Sequence, residues 1–161
     1  MTTYGAGLRV SEVVRLRVTD IFADRWTIRV AQGKGRKDRW TILSKHLLVE
    51  LRDYWTIDSP PEWLFPGKDI NRPMSRAAAQ QVYYRAKMLA KIRRGKGIHT
   101  LRHCFATHLL EDGVDSAVIQ SLLGHKNIST TSRYLRISQR HLKGVKSPLD
   151  TLSYHQPVAE A

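Results

Sequence analysis

The sequence predicts an α+β domain that is mainly α-helical and contains one small antiparallel β-sheet in the form of a hairpin. Apolar residues recur with helical spacing along most of the chain. Strict alternation of apolar and polar residues is confined to residues 26–43, around the turn glycines Gly33 and Gly35. The chain has 161 residues, of which 42% are hydrophobic, and this is enough for one domain with a hydrophobic core.

The elements follow in a simple order. A short helix is predicted over residues 8–16, where Val10, Val13 and Val14 form an apolar stripe. The hairpin comes next, and four prolines indicate a loop over residues 56–73. Helices are predicted over residues 44–54, 76–92, 99–111, 116–123, 129–136 and 139–145. Residues 1–148 are expected to form the domain and residues 149–161 a flexible tail.

The charge of the chain points to a polyanionic partner. Twenty-seven lysines and arginines against fourteen acidic residues give a formal net charge of +13. A domain this basic favours nucleic acid as its partner. A membrane partner is not predicted, because no long basic amphipathic helix and no apolar run of membrane-spanning length is found in the sequence. The single cysteine, Cys104, permits no internal disulfide and fits a reducing cytoplasm.

Three short stretches stand out. Residues 7–12 read Gly-Leu-Arg-Val-Ser-Glu, residues 99–103 read His-Thr-Leu-Arg-His, and residues 122–125 read Leu-Leu-Gly-His. Tyr134 follows the third stretch by nine residues.

Each of these features also has an ordinary interpretation that involves no catalysis. Arg9 and Glu12 can form a surface ion pair, the second stretch can be a solvated helix face, and most tyrosines lie in a core or an interface.

Two clusters of basic residues accompany these stretches. The first lies in the hairpin and consists of Lys34, Arg36, Lys37 and Arg39. The second precedes the second stretch and consists of Arg93, Arg94 and Lys96. Such clusters bind phosphate groups of a nucleic-acid backbone without reading its sequence. We therefore predict that Arg36, Lys37, Arg39 and the second cluster contact DNA.

A metal site is the competing interpretation of the histidines. His99 and His103 are four residues apart and would share one helical face, with His108 and His125 further along the chain. The glutamate of a zinc-protease helix motif is missing between the first two, and Cys104 is the only thiol. No metal and no other cofactor is predicted.

Taken together, in this order and at this spacing, the stretches resemble the tyrosine recombinase (phage integrase) family, which includes the Xer-type recombinases and Cre. The resemblance extends over residues 5–142 and includes the hairpin lysine between two glycines. It implies the catalytic-domain fold of DNA breaking-rejoining enzymes. It also implies site-specific recombination of double-stranded DNA through a covalent 3′-phosphotyrosine, without cofactor.

The resemblance assigns Arg9 and Arg102 to the scissile phosphate and gives Glu12 a supporting role beside Arg9. The chemistry suits these residues. Attack on a phosphodiester concentrates negative charge on its non-bridging oxygens, and two guanidiniums can grip those oxygens through paired hydrogen bonds.

The remaining catalytic residues form the covalent bond to DNA, transfer protons or donate a hydrogen bond. By the resemblance, Tyr134 is the nucleophile, and its hydroxyl, with an ordinary pKa near 10, needs a partner that takes its proton. His99 is the candidate for that help, and His125 is a candidate hydrogen-bond donor to a phosphate oxygen. Lys34 corresponds to the general acid that protonates the departing 5′ oxygen.

The resemblance also raises expectations about the length of the chain and its assembly. Family members usually have one or two helices and a separate DNA-binding domain before the first arginine, so we expect this chain to be a fragment. Family members act as tetramers on DNA and exchange a C-terminal segment, for which residues 139–145 are the candidate. Two alternatives stay open: a DNA-binding catalytic-domain fragment without independent recombination activity, and a type IB topoisomerase-like enzyme that breaks and rejoins DNA.

Overall fold

Residues 1–31, 38–124 and 146–151 are described by a computed structural model of the chain. Within these ranges the chain is mainly helical and contains one small antiparallel sheet, as the sequence predicts. In chain order the elements are α1 (Thr2–Gly5), α2 (Val10–Val13), a 3₁₀ helix (Val18–Asp20), β1 (Ile21–Phe22), β2 (Thr27–Val30), β3 (Arg39–Ile42), α3 (Lys45–Asp58), α4 (Arg76–Leu89), α5 (His99–Glu111), α6 (Ser116–Leu123) and α7 (Pro148–Thr151).

The sheet is antiparallel with the strand order β1-β2-β3. The predicted hairpin is confirmed, with Thr27 opposite Ile42 and Val30 opposite Arg39. Strand β1 was not predicted, because two residues are too few to show an alternating pattern. The register places Arg39 at the end of the hairpin ladder nearest the turn, and the turn itself, residues 32–37, lies outside the described residues.

Side-chain caps begin two of the helices where the sequence predicts them. The Ser44 hydroxyl accepts a hydrogen bond from the Leu47 amide at 2.9 Å, and the Ser75 hydroxyl accepts one from the Ala78 amide at 3.0 Å. Helix α3 is longer than predicted and ends before Ser59, which adopts a left-handed conformation with φ of 40°. Helix α4 ends at Leu89, three residues earlier than predicted.

The segment around Gly7 differs most from the prediction. The expected helix over residues 8–16 is only the four-residue α2, and a second short helix, α1, precedes it. Between them Gly7 has φ of 62°. A Cβ atom on Gly7 would lie 2.5 Å from two ring atoms of Phe105, so both the backbone conformation and the close approach of α5 require glycine. This turn sets the position of Arg9.

Replacing Gly7 by alanine should therefore destabilise the fold strongly. The left-handed conformation and the clash with Phe105 together should lower the free energy of unfolding by roughly 2–4 kcal/mol. Gly113→Ala is the matched control, since Gly113 also has a positive φ, 78°, but no heavy atom of the described residues lies within 4 Å of its added Cβ. Urea denaturation measures both, and an equal loss in the two variants would contradict the close approach.

The core lies between the sheet and helices α3, α5 and α6. Its most deeply buried large side chains are Leu8, Leu16, Ile28, Leu47, Phe105, Leu109, Leu122 and Leu149. Leu149 belongs to α7 and is 1% exposed, so the flexible tail expected from residue 149 onwards does not begin there. One apolar residue in a four-residue helix gives no periodic signal, which explains the difference.

Several predicted features lie outside the described residues. These are the helices over residues 129–136 and 139–145 and the tail from residue 152 onwards. Within the described ranges, no helix is both long enough and apolar enough to cross a membrane.

Candidate active site

Arg9 and Glu12 form the first part of the site. Arg9 is the N-cap residue of α2, and its backbone amide donates to Glu12 Oε2 at 2.7 Å. Its Nη1 donates to Glu12 Oε1 at 2.9 Å. The Arg9 side chain is 30% exposed, whereas that of Glu12 is 9% exposed. The pair is thus more than a surface ion pair, because its carboxylate faces the interior.

Arg102 reaches the same carboxylate from helix α5. Its Nη1 lies 3.7 Å from Glu12 Oε2, and the residue is 3% exposed. The guanidinium donates to the carbonyl oxygens of Gly7 and Leu123, both at 2.6 Å. Burial, followed by repulsion from Arg9, lowers the pKa of Arg102 to about 10, so it stays protonated at neutral pH.

Arg39 joins the cluster from strand β3. Its Nη1 and Nη2 donate to the two oxygens of Glu12, each at 2.9 Å, and its Nε donates to the Leu122 carbonyl at 3.0 Å. The side chain is 14% exposed. We predicted that Arg39 contacts DNA together with its basic neighbours in the hairpin. The structure instead turns this guanidinium inward, where the paired geometry of a carboxylate satisfies it.

Glu12 is therefore shared by three guanidiniums. Burial by itself raises the pKa of Glu12, but hydrogen bonds and charge from Arg39, together with hydrogen bonds from Arg9, outweigh that effect and lower the pKa. One carboxylate against three arginines leaves a formal excess of two positive charges. Such an excess at a partly buried site attracts an anion.

The C-terminus of helix α6 completes the cluster. Carbonyl oxygens of Leu122, Leu123 and Gly124 accept hydrogen bonds from the three arginines, with the Arg9 contacts the longest, at 3.3 and 3.4 Å. Cationic groups at a helix C-terminus are favourable, because the last carbonyls carry partial negative charge. Gly124 ends α6 with φ of 64°, and a Cβ there would lie 2.7 Å from Arg39 Cδ. The predicted end of this helix, one residue before His125, is confirmed.

His99 is the first residue of α5, one helical turn before Arg102. It is exposed, and its ring meets that of His103 edge to face at a centroid distance of 5.5 Å. Partial burial first, and then the positive charge of Arg102, lowers the pKa of His99 below its ordinary value. His99 is consequently neutral at pH 7 and can accept a proton.

The second basic cluster lies in the loop between α4 and α5, and its three members are exposed. Two contacts from α4 hold this loop: Lys87 Nζ donates to the Gly95 carbonyl at 2.7 Å, and the Tyr84 hydroxyl donates to the Lys96 carbonyl at 3.0 Å. The loop leads directly into the N-terminus of α5, next to His99. Among the described residues, no three His, Cys, Asp or Glu side chains are grouped so as to hold a metal ion.

The structure brings together Arg9, Glu12, His99 and Arg102 from two distant stretches. Arg39, Arg93, Arg94 and Lys96 are placed as described above. Five further predicted site residues lie outside the described residues, and these are Lys34, Arg36, Lys37, His125 and Tyr134. The sequence analysis missed the partnership of Arg39 with Glu12. These residues are on different elements and 27 positions apart, and no periodicity links them.

Comparison with known proteins identifies the family of the chain. Residues 1–141 match the phage integrase family, and the chain belongs to that family. It is 47% identical over 157 residues to y4qK of Sinorhizobium fredii, described as an integrase/recombinase, with 98% of this chain and 51% of the relative covered. It is 42% identical over 144 residues to tyrosine recombinase XerA of Thermococcus kodakarensis, covering 87% and 50%. The chain thus spans about half the length of these relatives.

Solved structures show the same fold. The crystal structure of XerA recombinase superposes with a TM-score of 0.71 at 27% identity, over 84% of this chain and 52% of that one. The integrase of mycobacterium phage Brujita gives 0.70 at 26% identity, over 88% and 46%. The XerH site-specific recombinase bound to its difH substrate, in a pre-cleavage complex, gives 0.68 at 27%, over 83% and 42%.

Proposed function

We propose that this chain is the catalytic part of a site-specific recombinase that cleaves and rejoins double-stranded DNA through a covalent 3′-phosphotyrosine on Tyr134. The observation that supports it most is the convergence of Arg9 and Arg102 on one carboxylate with a net excess of positive charge. Membership of the phage integrase family and the likeness to XerH bound to difH agree with this proposal.

In the proposed reaction, Arg9 and Arg102 bind the non-bridging oxygens of the scissile phosphate. Arg9 is the more accessible of the two and makes its longest hydrogen bonds to the α6 carbonyls, so it can turn towards a phosphate at little cost. Arg102 is held rigidly by two short hydrogen bonds, which leaves further N–H donors of its guanidinium for the ligand. Fixed donors of this kind stabilise the charge that develops during attack.

The tyrosine oxygen of Tyr134 attacks phosphorus and forms the phosphotyrosine ester, while the bond from phosphorus to the 5′ oxygen breaks. His99 takes the phenolic proton, and Lys34 gives a proton to the departing 5′ oxygen. His125 donates a hydrogen bond to a phosphate oxygen. Attack by a 5′ hydroxyl of a second strand reverses the steps, so the bond energy is kept in the ester and no cofactor is needed.

Glu12 and Arg39 have supporting roles in this proposal. Glu12 holds the two phosphate-binding arginines at one point, and their repulsion would otherwise drive them apart. Arg39 binds both oxygens of Glu12 and so limits how strongly the carboxylate competes with phosphate for Arg9 and Arg102. Arg39 is thus a positioning residue rather than a DNA contact.

The assembly and the setting are part of the same proposal. The partner is double-stranded DNA, and the second basic cluster, Arg93, Arg94 and Lys96, together with Arg36 and Lys37, contacts its backbone. Four copies assemble on two duplexes and exchange the segment over residues 139–145. The protein acts in the cytoplasm, where its DNA substrate is found.

The lowered pKa of His99 predicts how cleavage depends on pH. Because His99 must be neutral to accept a proton, cleavage should fall only in acid, with a midpoint below the ordinary histidine value of 6.5, and should be flat from there to neutral pH. Single-turnover cleavage rates between pH 5 and 8 measure this decrease in acid. His99→Gln should remove the decrease, and an unchanged pH dependence in that variant would exclude His99 as its origin.

The experiment that tests the function itself is the trapping of the covalent intermediate. Nicked suicide duplexes release the short strand after cleavage and prevent rejoining, so a protein–DNA adduct that resists SDS accumulates. Wild-type protein should form the adduct, and Tyr134→Phe should not.

A further inference from the structure

Helix α4 presents a stripe of polar side chains to the loop that leads into α5. The members follow the first one at intervals of three, four and seven residues, which places them on one helical face, and they are Gln80, Tyr83, Tyr84 and Lys87. Lys87 Nζ donates to the Gly95 carbonyl at 2.7 Å. The Tyr84 hydroxyl donates to the Lys96 carbonyl at 3.0 Å. These partners are backbone groups, so this α4 stripe holds the path of the loop itself.

Two glycines allow the loop to lie close against the α4 stripe. A Cβ atom on Gly95 would lie 2.9 Å from the Tyr83 hydroxyl oxygen. A Cβ atom on Gly97 would lie 2.9 Å from Gln80 Nε2. Glycine loses more conformational freedom on folding than any other residue. Contacts with α4 are therefore needed to keep this short segment in one conformation.

Gln80 extends this support to the first turn of α5. The Ile98 residue that precedes His99 is the N-cap of α5, and its side chain provides no capping hydrogen bond. Amide groups at the start of a helix have no partner within the helix. Gln80 Oε1 accepts a hydrogen bond from the Ile98 amide at 3.4 Å. The α4 stripe thus holds the backbone immediately before His99.

The position of His99 depends on this backbone more than that of Arg102 does. The Arg102 guanidinium is fixed by its own hydrogen bonds to the Gly7 and Leu123 carbonyls. Among the described residues, no hydrogen bond to the His99 ring is found, and the ring meets that of His103 edge to face. The place of the His99 ring is consequently set by where α5 begins.

We propose that Gln80 and Lys87 are positioning residues for His99. By holding residues 95–98 against α4, they fix the start of α5 so that the His99 ring can take the phenolic proton. They act through the loop backbone and contact neither DNA nor a reacting atom. The inference rests on the proposed function for the role of His99. It also separates Lys87 from the basic residues named above, because its half-buried ammonium is committed to a carbonyl.

The first measurement follows His99 without DNA. The NMR signal of its ring proton is assigned by its loss in His99→Gln, and the adjacent His103 ring makes the chemical shift sensitive to the ring position. In Gln80→Ala combined with Lys87→Met the signal should move. Gln81→Ala, which replaces the neighbouring and exposed glutamine of α4, is the control and should leave the signal in place. An unmoved signal in the double variant would overturn the proposal.

The second measurement is single-turnover cleavage at saturating DNA. The double variant should be slower than wild type by about 10- to 100-fold, because a misplaced general base loses part of its contribution. In a His99→Gln background the same two changes should cause no further slowing, since no base is left to misplace. Lys87→Arg keeps a cationic donor for the Gly95 carbonyl and should cleave near the wild-type rate.

A third measurement distinguishes positioning from contact with DNA. Each phosphate contact adds about 0.9 to the salt slope, the slope of log affinity against log salt. Lys87→Met should keep the wild-type salt slope on a duplex of mixed sequence, and a loss of about 0.9 would show that Lys87 is a phosphate contact instead.

The outcomes separate this proposal from the proposed function. Equal slowing of cleavage in the wild-type and His99→Gln backgrounds would show a general structural role and would overturn the proposal, even if wild-type protein forms the covalent adduct. If the His99 signal moves as expected but wild-type protein forms no adduct on any substrate, the α4 stripe positions His99 and the proposed chemistry is wrong.

Discussion

Replacing Arg102 with methionine lowers both the cleavage rate and the stability of the protein, whereas replacing Arg9 with glutamine lowers mainly the rate. Loss of one fixed donor to the transition state should slow cleavage by about 10²–10³-fold in each variant. The difference lies in what each arginine does without DNA. Arg102 is 3% exposed and donates to two backbone carbonyls, while the Arg9 side chain is 30% exposed and makes longer contacts to α6.

The stability difference follows from the groups left behind. Without Arg102, the Gly7 carbonyl loses its side-chain donor, the Leu123 carbonyl keeps only the longer hydrogen bond from Arg9, and Glu12 loses a nearby positive charge. Together these losses should cost on the order of 3 kcal/mol. Urea denaturation measures this cost, and single-turnover cleavage measures the rate. If Arg9→Gln cleaved at the wild-type rate while fully folded, Arg9 would not be a phosphate ligand. Arg102→Lys, which keeps the charge, should recover stability better than rate, because an ammonium lacks the paired donors.

The second large effect is expected for the pair of Arg39 and Glu12. Arg39→Met should slow cleavage at least about tenfold, which corresponds to roughly 1.4 kcal/mol of barrier. Without Arg39, the carboxylate is shared only by Arg9 and Arg102, so the formal charge excess falls from two to one. Glu12 then holds both phosphate-binding arginines more tightly, and an incoming phosphate must compete with it.

A double-mutant cycle distinguishes this role from a merely structural one. In Arg39→Met combined with Glu12→Gln, the buried carboxylate is gone and the two remaining arginines restore the excess of two positive charges. Cleavage by the double variant should therefore be slowed by less than the product of the two single effects. A double variant as slow as the product of the two single effects would show that Arg39 does not act through Glu12. The salt slope of DNA binding should be unchanged in Arg39→Met, because Arg39 contacts no phosphate in this account.

The sequence was sufficient for those parts of the fold that leave a local signal. Ser44 and Ser75 mark helix starts because a hydroxyl can accept a hydrogen bond from a free amide. Gly124 marks a helix end because the left-handed conformation there disfavours other residues. The hairpin follows from alternation on the two sides of a glycine turn. Helix α1, strand β1 and the burial of Leu149 were missed, because elements of two to four residues contain less than a full repeat of any pattern.

In the candidate site, too, some residues could be predicted from the sequence and others could not. The resemblance to the recombinase family, which rests on the order and spacing of the motifs, selected Arg9, Glu12, His99 and Arg102, and these four lie together in the structure. The inward position of Arg39 could not be foreseen, since a basic residue in a basic hairpin is indistinguishable by sequence from its neighbours. Its geometry depends on a carboxylate 27 positions away and on the Leu122 carbonyl of a third element. Long-range pairing of this kind is a property of the folded chain.

The most direct test of the central claim is the identity of the residue that becomes joined to DNA. Protein is incubated with nicked suicide duplexes that contain candidate sites, denatured in SDS, and the adduct is digested with protease and mapped by mass spectrometry. The account predicts an adduct with wild-type protein whose DNA is attached to Tyr134, lost in Tyr134→Phe and retained in Tyr154→Phe. A robust adduct in Tyr134→Phe, or attachment at any other residue, would contradict it.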